Sequence, residues 1–229
     1  MKRQVEEEIN QLKAKILHMG SLAEEMIHFS MKCFIERESN FGEKVFKNEE
    51  EVNRFQIEVD ELSSRILALY QPEATDLRTI IAAMKINSEL ERVADQAVNI
   101  TQTCTLHLFK ETPVKTMMEI PRMATIAQEM IKDSLDAFSR SDVELAQAVL
   151  KKDEEEDTLK AKVLSEIIGM IRKHPSQTKQ LVDLILISRN LEKIGDHATN
   201  IAEDVIYMTI GKDIRHPQQQ DPPVVSPSL

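Results

Sequence analysis

The sequence is poor in aromatic residues and in glycine. Its 229 residues include no Trp, two Tyr and five Gly, although 41% of them are hydrophobic. Strands are enriched in aromatic and β-branched residues and their turns in Gly, so this composition disfavours a sheet protein. A chain filled with Leu, Ile, Val, Met and Ala instead predicts an all-α fold with a buried core.

Basic side chains are also in short supply. The chain carries 29 Lys and Arg against 39 Asp and Glu, which gives a formal net charge of −10. Duplex binding requires clustered basic side chains, so nucleic acid is not the expected partner. An acidic chain is compatible with the binding of cations.

Cysteine motifs and long apolar runs are missing as well. Cys33 and Cys104 stand alone, without a CxxC motif, and are expected to be reduced, buried thiols. No apolar run approaches the roughly 20 residues that a transmembrane helix needs. The N-terminal stretch MKRQVEEE becomes acidic where a signal peptide would be apolar. These features predict a cytoplasmic protein without membrane insertion.

The chain does have helical periodicity, interrupted by proline and turn residues. Apolar residues recur at spacings of three and four, which predicts six helices, three in each half. The expected helices cover about residues 4–39, 43–70 and 76–111, followed by three that end near residues 140, 173 and 210. Turns are expected at 39–42 and 71–76, and a connector between the halves at 112–121. The expected N-caps are Thr75 or Asp76 for the third helix, Ser141 or Asp142 for the fifth and Ser176 for the last. Gly211 is expected to end the last helix.

The last predicted helix carries a ladder of oxygen-bearing side chains. Glu192, Asp196 and Asn200 are spaced four apart, so they lie one above another on the same face of the helix. The opposite face is apolar and is predicted to be buried. Its residues are Leu184, Ile187, Leu191, Ile194, Ala198, Ile201 and Val205.

The same ladder occurs about a hundred residues earlier. Glu91, Asp95 and Asn99 precede Glu192, Asp196 and Asn200 by 101 residues, and the first two helices of each half match at an offset of 104. Such repetition indicates a duplicated unit. The predicted units are two three-helix repeats at residues 1–112 and 113–216, followed by a polar, Pro-rich tail at 217–229 that is expected to be disordered.

Paired ladders of this kind could bind cations. A hard or borderline cation takes several oxygen ligands, and one helix alone cannot enclose it. The second helix of each half offers further oxygens, from Glu49, Glu50 and Asn53 and from Asp153, Glu154 and Asp157. The alternative is that both ladders are solvated faces, with Arg92, Lys151, Lys152 and Lys193 as ion-pair partners.

Two long segments resemble the signature regions of the PhoU family. They are QPEATDLRTIIAAMKINSELERVADQAVNI and LEKIGDHATNIAEDVIYMTIGKDIRH, and the resemblance extends over about residues 1–216. It implies two three-helix bundles packed side by side, and a homodimer. It also implies a negative regulator of phosphate-starvation signalling that modulates phosphate transport and links the ATPase of a phosphate ABC transporter to a sensor histidine kinase.

The resemblance also implies metal clusters on the acidic ladders, with iron, zinc, manganese or magnesium as the ion. By position, the implied ligands are Glu49, Asn53, Glu91, Asp95 and Asn99 in the first half, and Asp153, Asp157, Glu192, Asp196 and Asn200 in the second. Asn53 stands where the second half has Asp157, so the first site is predicted to be the weaker. Ala94 and Gln96 stand where the second half has Gly195 and His197, and His197 is interpreted as a polar edge residue.

Catalysis is not expected. A ferritin-like di-iron bundle needs two Glu-x-x-His pairs on separate helices, and only Glu25 and His28 have that spacing. The sequence has no Gly-rich phosphate loop. The competing interpretation is a metal-free helical scaffold that docks partners along apolar grooves of its bundles.

Overall fold

The structure is a computed structural model that describes residues 2–112 and 118–215, with side chains from residue 4 onward. In these ranges the chain forms six α-helices and no strand, which confirms the all-α prediction. The helices are α1 (Lys2–Glu36), α2 (Ser39–Tyr70), α3 (Ala74–Gln102), α4 (Glu119–Arg140), α5 (Val143–Lys173) and α6 (Thr178–Ile210).

The six helices form two three-helix bundles that lie side by side. Helices α1, α2 and α3 pack on one another, as do α4, α5 and α6. The bundles meet where α3 packs along α6 and α1 packs along α4. Arg78 donates to the Met208 carbonyl oxygen (3.1 Å), and Lys85 reaches Asp204 (2.8 Å), so α3 and α6 run antiparallel. The two repeats are therefore related by an approximate twofold rotation.

The core consists mainly of aliphatic side chains, as the composition predicts. All seven residues of the apolar stripe on α6 are at most 1% exposed. Equivalent stripes on α1, α3 and α4 are buried with it. Cys33 and Cys104 are buried free thiols, as expected. Among the described helices, none is long and apolar enough to cross a membrane.

The first predicted turn was placed incorrectly. The stretch 39–42 forms the first turn of α2, and the chain reverses instead at Arg37, whose φ of 57° is left-handed. Arg37 is held there by donating to the carbonyl oxygens of Leu108 (2.6 Å) and Glu111 (3.0 Å). Gly42 serves close packing, because a Cβ there would lie 2.9 Å from Cγ2 of the buried Thr101.

The predicted helix ends agree in part with the ends of the helices in the structure. Asp142 caps α5 by accepting from the Leu145 amide (3.0 Å), and Gly211 ends α6 with a φ of 71°. The N-caps expected for α3 and α6 were wrong, because Glu73 and Gln177 occupy those positions. A short 3-10 turn, Pro175–Gln177, precedes α6 and displaces its start.

The third helix changes pitch rather than continuing to residue 111 as a regular helix. A π-helical turn, Thr103–His107, follows α3, and a 3-10 turn, Leu108–Lys110, follows it. His107 Nδ1 lies 3.1 Å from Oδ1 of the buried Asp183 on α6. Half of the predicted connector, at residues 113–117, and the predicted disordered tail lie outside the described residues.

Substitution of two helical glycines tests the close packing of α2. Gly42→Ala should lower the free energy of unfolding by about 1 kcal/mol, because Thr101 cannot move without losing its bond to the Ala97 carbonyl oxygen. Gly169→Ala is the matched control, because a Cβ there meets nothing within 4 Å. It should gain about 0.5–1 kcal/mol from helix propensity. Urea denaturation that gave both variants the same gain would contradict this role of Gly42.

Candidate functional site

The second ladder lies where α6 packs against α5. Asp196 and Glu192 on α6 interact electrostatically with Asp153 and Asp157 on α5. Burial, and then the negative charge of Asp196, raise the pKa of Asp153 above its ordinary value. Partial burial, and then the negative charge of Glu192, raise the pKa of Asp196. The structure thus brings four of the predicted second-site residues into one acidic cluster.

A lysine that the sequence analysis did not consider compensates part of this charge. Lys160 Nζ contacts Oε1 of Glu192, and it also lies 3.9 Å from Oδ1 of Asp157. The hydrogen bond to Glu192 raises the pKa of Lys160. The four cations named from sequence do not take this place. Lys152 pairs with Glu129 (2.7 Å), Arg92 lies 3.7 Å from Glu89, and Lys151 and Lys193 make no ion pair with any described residue.

A fifth carboxylate lies beneath the cluster. Glu156 on α5 is 1% exposed, and neither of its carboxylate oxygens has a hydrogen-bond partner among the described residues. Burial, reinforced by the charges of Asp153, Asp196 and other members of the cluster, raises the pKa of Glu156 to about 9. Leaving a buried polar group without a partner costs free energy, so Glu156 requires an explanation beyond packing.

Comparison of the two repeats shows how the chain accommodates Glu156. At the offset of 104, Glu156 corresponds to Val52, which is fully buried. At the offset of 101, Gly195 corresponds to Ala94. A Cβ at residue 195 would overlap the Glu156 carboxylate, so Gly195 provides the space for it. The apolar pair of the first half is therefore replaced by a carboxylate and a glycine in the second.

The burial of Glu156 could have been predicted from the sequence. Val149, Glu156 and Val163 recur every seven residues, so Glu156 falls on the buried stripe of α5.

The first ladder faces α2 in the same way, but it carries less negative charge. Burial, then Asp95 and, to a smaller extent, Glu49, raise the pKa of Glu91. Asn53 donates to Glu49 (3.3 Å), so these two α2 residues are in contact. Asp95 and Asn99 are exposed on α3. The described residues thus group Glu49, Asn53, Glu91 and Asp95, and this group lacks a counterpart of Glu156.

The predicted ligand Asn200 and its neighbour His197 contact the neighbouring bundle instead of α5. Asn200 donates to Oε2 of Glu89 on α3 (3.1 Å), and His197 Nδ1 lies 2.7 Å from the same oxygen. The side chains of His197 and Glu89 are 13% and 14% exposed, so the pair is largely buried between the bundles. The hydrogen bond from His197 lowers the pKa of Glu89 against the effect of its burial. His197 is thus more than a polar edge residue, because it joins α6 to α3.

The second cluster has the donor chemistry of a cation site but not a closed coordination shell. Among the described residues, no three His, Cys, Asp or Glu side chains converge closely enough to hold an ion as they lie. Asp157 and Asp196 are exposed, so both can change rotamer without disturbing the core. Carboxylate oxygens suit hard and borderline cations, and the unpartnered oxygens of Glu156 lie beside them. The residues present therefore fit a cation by type.

Two tandem three-helix bundles, each with an acidic ladder between its second and third helices, define a class of duplicated helical-bundle proteins. The PhoU domain family matches residues 16–104 and 120–205, one segment in each bundle. The chain therefore belongs to the PhoU family, as its two signature segments predict.

Relatives and solved structures agree with this assignment. A PhoU homologue from Pseudomonas putida, named a phosphate-specific transport system accessory protein, is 33% identical over 214 residues, covering 93% of this chain and 84% of that protein. The crystal structure of PhoU from Pseudomonas aeruginosa matches with a TM-score of 0.87 and 31% identity, over 90% of this chain and 99% of that one. A Streptococcus pneumoniae PhoU structure, 23% identical with a TM-score of 0.84, shares the fold over 93% of this chain and all of its own. The homologues from Pseudomonas putida and Pseudomonas aeruginosa are named accessory proteins, in agreement with the expectation that the chain is not an enzyme.

The raised pKa of Glu156 predicts how stability depends on pH in the presence of a chelator. The folded protein keeps a proton on Glu156 up to about pH 9, whereas the unfolded chain loses it near pH 4.5. Stability from this group is therefore complete below pH 4.5 and is lost as the pH rises towards 9. Glu156→Gln cannot ionise, so its stability relative to the parent should rise by about 3 kcal/mol or more between pH 4.5 and pH 8.

Urea denaturation at a series of pH values measures this difference. Glu154→Gln is the matched control, because Glu154 is an exposed glutamate on the same helix. The difference in free energy of unfolding between Glu154→Gln and the parent should stay the same across the pH range. If the free energy of unfolding of Glu156→Gln varied with pH in parallel with that of the parent, the assigned protonation of Glu156 would be wrong.

Proposed function

We propose that this protein is a PhoU-type accessory factor of phosphate transport that also restrains phosphate-starvation signalling. The match of both bundles to the PhoU domain, and relatives named phosphate-specific transport system accessory proteins, support this role. In this proposal the protein links the ATPase of a phosphate ABC transporter to a sensor histidine kinase. Both interactions take place in the cytoplasm, and the acting form is a homodimer.

The acidic ladders are the proposed regulatory sites, and they bind cations. Glu156 is the observation that carries this part of the proposal, because its unpartnered, buried carboxylate lies against an acidic cluster that Lys160 neutralises only in part. The second-site ligands are Asp153, Asp157, Glu192 and Asp196, with Asn200 as a further candidate. The first-site ligands are Glu49, Asn53, Glu91, Asp95 and Asn99. A bound iron, zinc, manganese or magnesium ion would supply positive charge and join α5 to α6 or α2 to α3.

The regulatory effect would act through the residues of the α5–α6 pair. Asp153 on α5 and Asp196 on α6 repel each other when both are ionised, which weakens the packing of these helices. Neutralising them strengthens that packing and fixes the surface that the two helices present to partners. Glu192 would also exchange its contact with Lys160 for the cation, which frees the lysine.

The alternative function is a metal-free scaffold that docks partners along its bundles. The ion pair between Lys160 and Glu192 favours it, because a lysine already takes the position of a positive charge in the cluster. The absence of three converging ligand side chains among the described residues agrees with the same interpretation. The two functions differ in one measurable respect, which is whether cations bind to the ladders.

Cation titration of carboxamide variants separates the two functions. Asp153→Asn with Asp196→Asn should weaken Zn²⁺ or Mn²⁺ binding by more than about tenfold in calorimetry, because each substitution removes a charged ligand. Glu91→Gln with Asp95→Asn should affect only the weaker of two binding events. Glu61→Gln with Glu144→Gln is the control, because these residues are exposed and are not among the candidate cation ligands. If no cation bound to the folded parent protein, the cation-binding function would be excluded and the scaffold function would remain.

Gene deletion tests the regulatory role in the source organism. Loss of the gene should leave a phosphate-starvation reporter active in phosphate-rich medium, because the restraint on the kinase is gone. The parent gene should restore repression, and the Asp153→Asn with Asp196→Asn variant should not, although its protein level is unchanged on an immunoblot. A reporter that stays repressed in the deletion strain would contradict the proposed negative regulation.

A further inference from the structure

Glu156 occupies a position that the fold can fill with an apolar residue. It falls on the buried stripe of α5 between Val149 and Val163, and its equivalent in the first bundle is the buried Val52. Among the described residues, Glu156 is the one buried carboxylate whose two oxygens both lack a hydrogen-bond partner. A carboxylate in such a position costs free energy, and the first bundle packs without one. Packing of the helices therefore does not account for Glu156.

The carboxylate of Glu156 is directed at the second ladder. A Cβ on Gly195 would overlap its Oε2 atom, so this oxygen reaches the part of α6 that carries Glu192 and Asp196. Burial raises the pKa of Glu156 to about 9, and all four carboxylates of the second cluster add to that effect. The oxygens of Glu156 thus face the cluster from the core side, whereas the ladder residues approach it from the surface.

The lysine of the second cluster does not compensate Glu156. Lys160 contacts Glu192 and lies 3.9 Å from Asp157, and in the part of the chain that the structure describes no basic side chain forms an ion pair with Glu156. The equivalent of Lys160 in the first bundle is Gln56. The second bundle therefore differs by a buried carboxylate and a lysine that do not pair with each other. A positive charge for Glu156 has to come from outside the chain.

We propose that Glu156 is itself a ligand of the second cation site, and that the Glu156–Gly195 pair makes this site the tighter of the two. The ion is a divalent cation that prefers oxygen ligands, and each further carboxylate strengthens its binding. Glu156 adds an oxygen from the core side, so the cation is held between α5 and α6 rather than on their surface. This inference rests on the cation binding of the proposed function.

A second explanation for unequal sites makes the inference testable. Asn53 stands where the second bundle has Asp157, which also gives the first site one charged ligand fewer. Asn53 is exposed and donates to Glu49 (3.3 Å), whereas its neighbour Val52 is fully buried. Exchanging the buried pair and the exposed residue separately shows which of them sets the difference between the sites.

Removal of the buried pair is the first experiment. Glu156→Val with Gly195→Ala gives the second bundle the Val52 and Ala94 combination, which packs in the first bundle, so the variant should fold. In calorimetry with Mn²⁺ at a single pH, the tighter of two binding events should weaken by at least about tenfold, because one charged ligand is lost. Urea denaturation in chelator should show that the variant is at least as stable as the parent.

Single substitutions provide the controls for this loss. Glu156→Gln keeps the size of the side chain but removes its charge, and it should also weaken the tighter binding event. Glu24→Gln is the matched control, because Glu24 is a half-buried carboxylate near Lys132 and Asp136 on α4. Its Mn²⁺ binding should equal that of the parent. Equal binding by Glu156→Gln, the double variant and the parent would overturn the inference.

Transfer of the pair to the first bundle is the second experiment. Val52→Glu with Ala94→Gly should tighten the weaker binding event by at least about tenfold, because it supplies the missing ligand and the space for it. Asn53→Asp should tighten the same event less. A larger effect of Asn53→Asp than of the transferred pair, with the helical circular dichroism of both variants unchanged, contradicts the inference. If the transferred pair prevents folding, the removal experiment decides.

Water bound to Mn²⁺ distinguishes a ligand from a residue that only adds negative charge. A direct ligand takes a coordination position that water fills in its absence. The relaxation of solvent protons by bound Mn²⁺ should therefore be faster in Glu156→Val with Gly195→Ala than in its parent. Both chains carry Glu91→Gln with Asp95→Asn, which removes the first site, and are compared at full occupancy. Weaker binding with unchanged relaxation would overturn the assignment of Glu156 as a ligand.

Failure of this inference is distinguishable from failure of the proposed function. If the parent binds no Mn²⁺, both the cation-binding function and the inference are wrong. If the parent binds Mn²⁺ and the Glu156 variants bind it equally well, the ladders bind cations without Glu156. Only the inference is then overturned.

Discussion

The antiparallel packing of α3 against α6 is the constraint on which the rest of the structure depends. Each helix buries its apolar stripe along this seam and in its own bundle, so its polar ladder must face the remaining neighbour. That neighbour is α2 for α3 and α5 for α6. The approximate twofold rotation therefore turns one repeated sequence pattern into two acidic clusters on separate faces. The hydrogen bond between His197 and Glu89 further joins the two helices near the middle of the seam.

The two clusters share a framework but differ in charge because the repeats have diverged beneath the surface. The first bundle fills the space under its ladder with Val52 and Ala94, which need no counter-charge. The second bundle has Glu156 and Gly195 at the equivalent positions, and it also has Lys160 beside Glu192. A buried carboxylate with no partner costs free energy, and Glu156 lies against the more acidic of the two clusters. The second bundle is thus the better candidate for regulation.

The second ladder shares the α5–α6 pair with exposed apolar side chains, among them Leu164 on α5. Glu192 and Asp196 line the same groove as Leu164 and Ile185. A change in the charge of this cluster would therefore act on the same pair of helices, whereas the seam with α3 is formed by another face of α6.

The sequence by itself determined the fold class, the duplication and the composition of each ladder, because helical periodicity and repeat offsets are local properties of the chain. The buried stripe on α6, the cap at Asp142 and the stop at Gly211 follow from the same local rules. It did not reveal that 39–42 begins a helix, because Gly42 is required by the approach of Thr101, which is distant in sequence. Only the tertiary structure decided that Lys160 neutralises Glu192, that Asn200 turns to Glu89 and that Glu156 is buried without a partner. These outcomes depend on which helix lies beside which and at what register, and residues from separate helices decide them together.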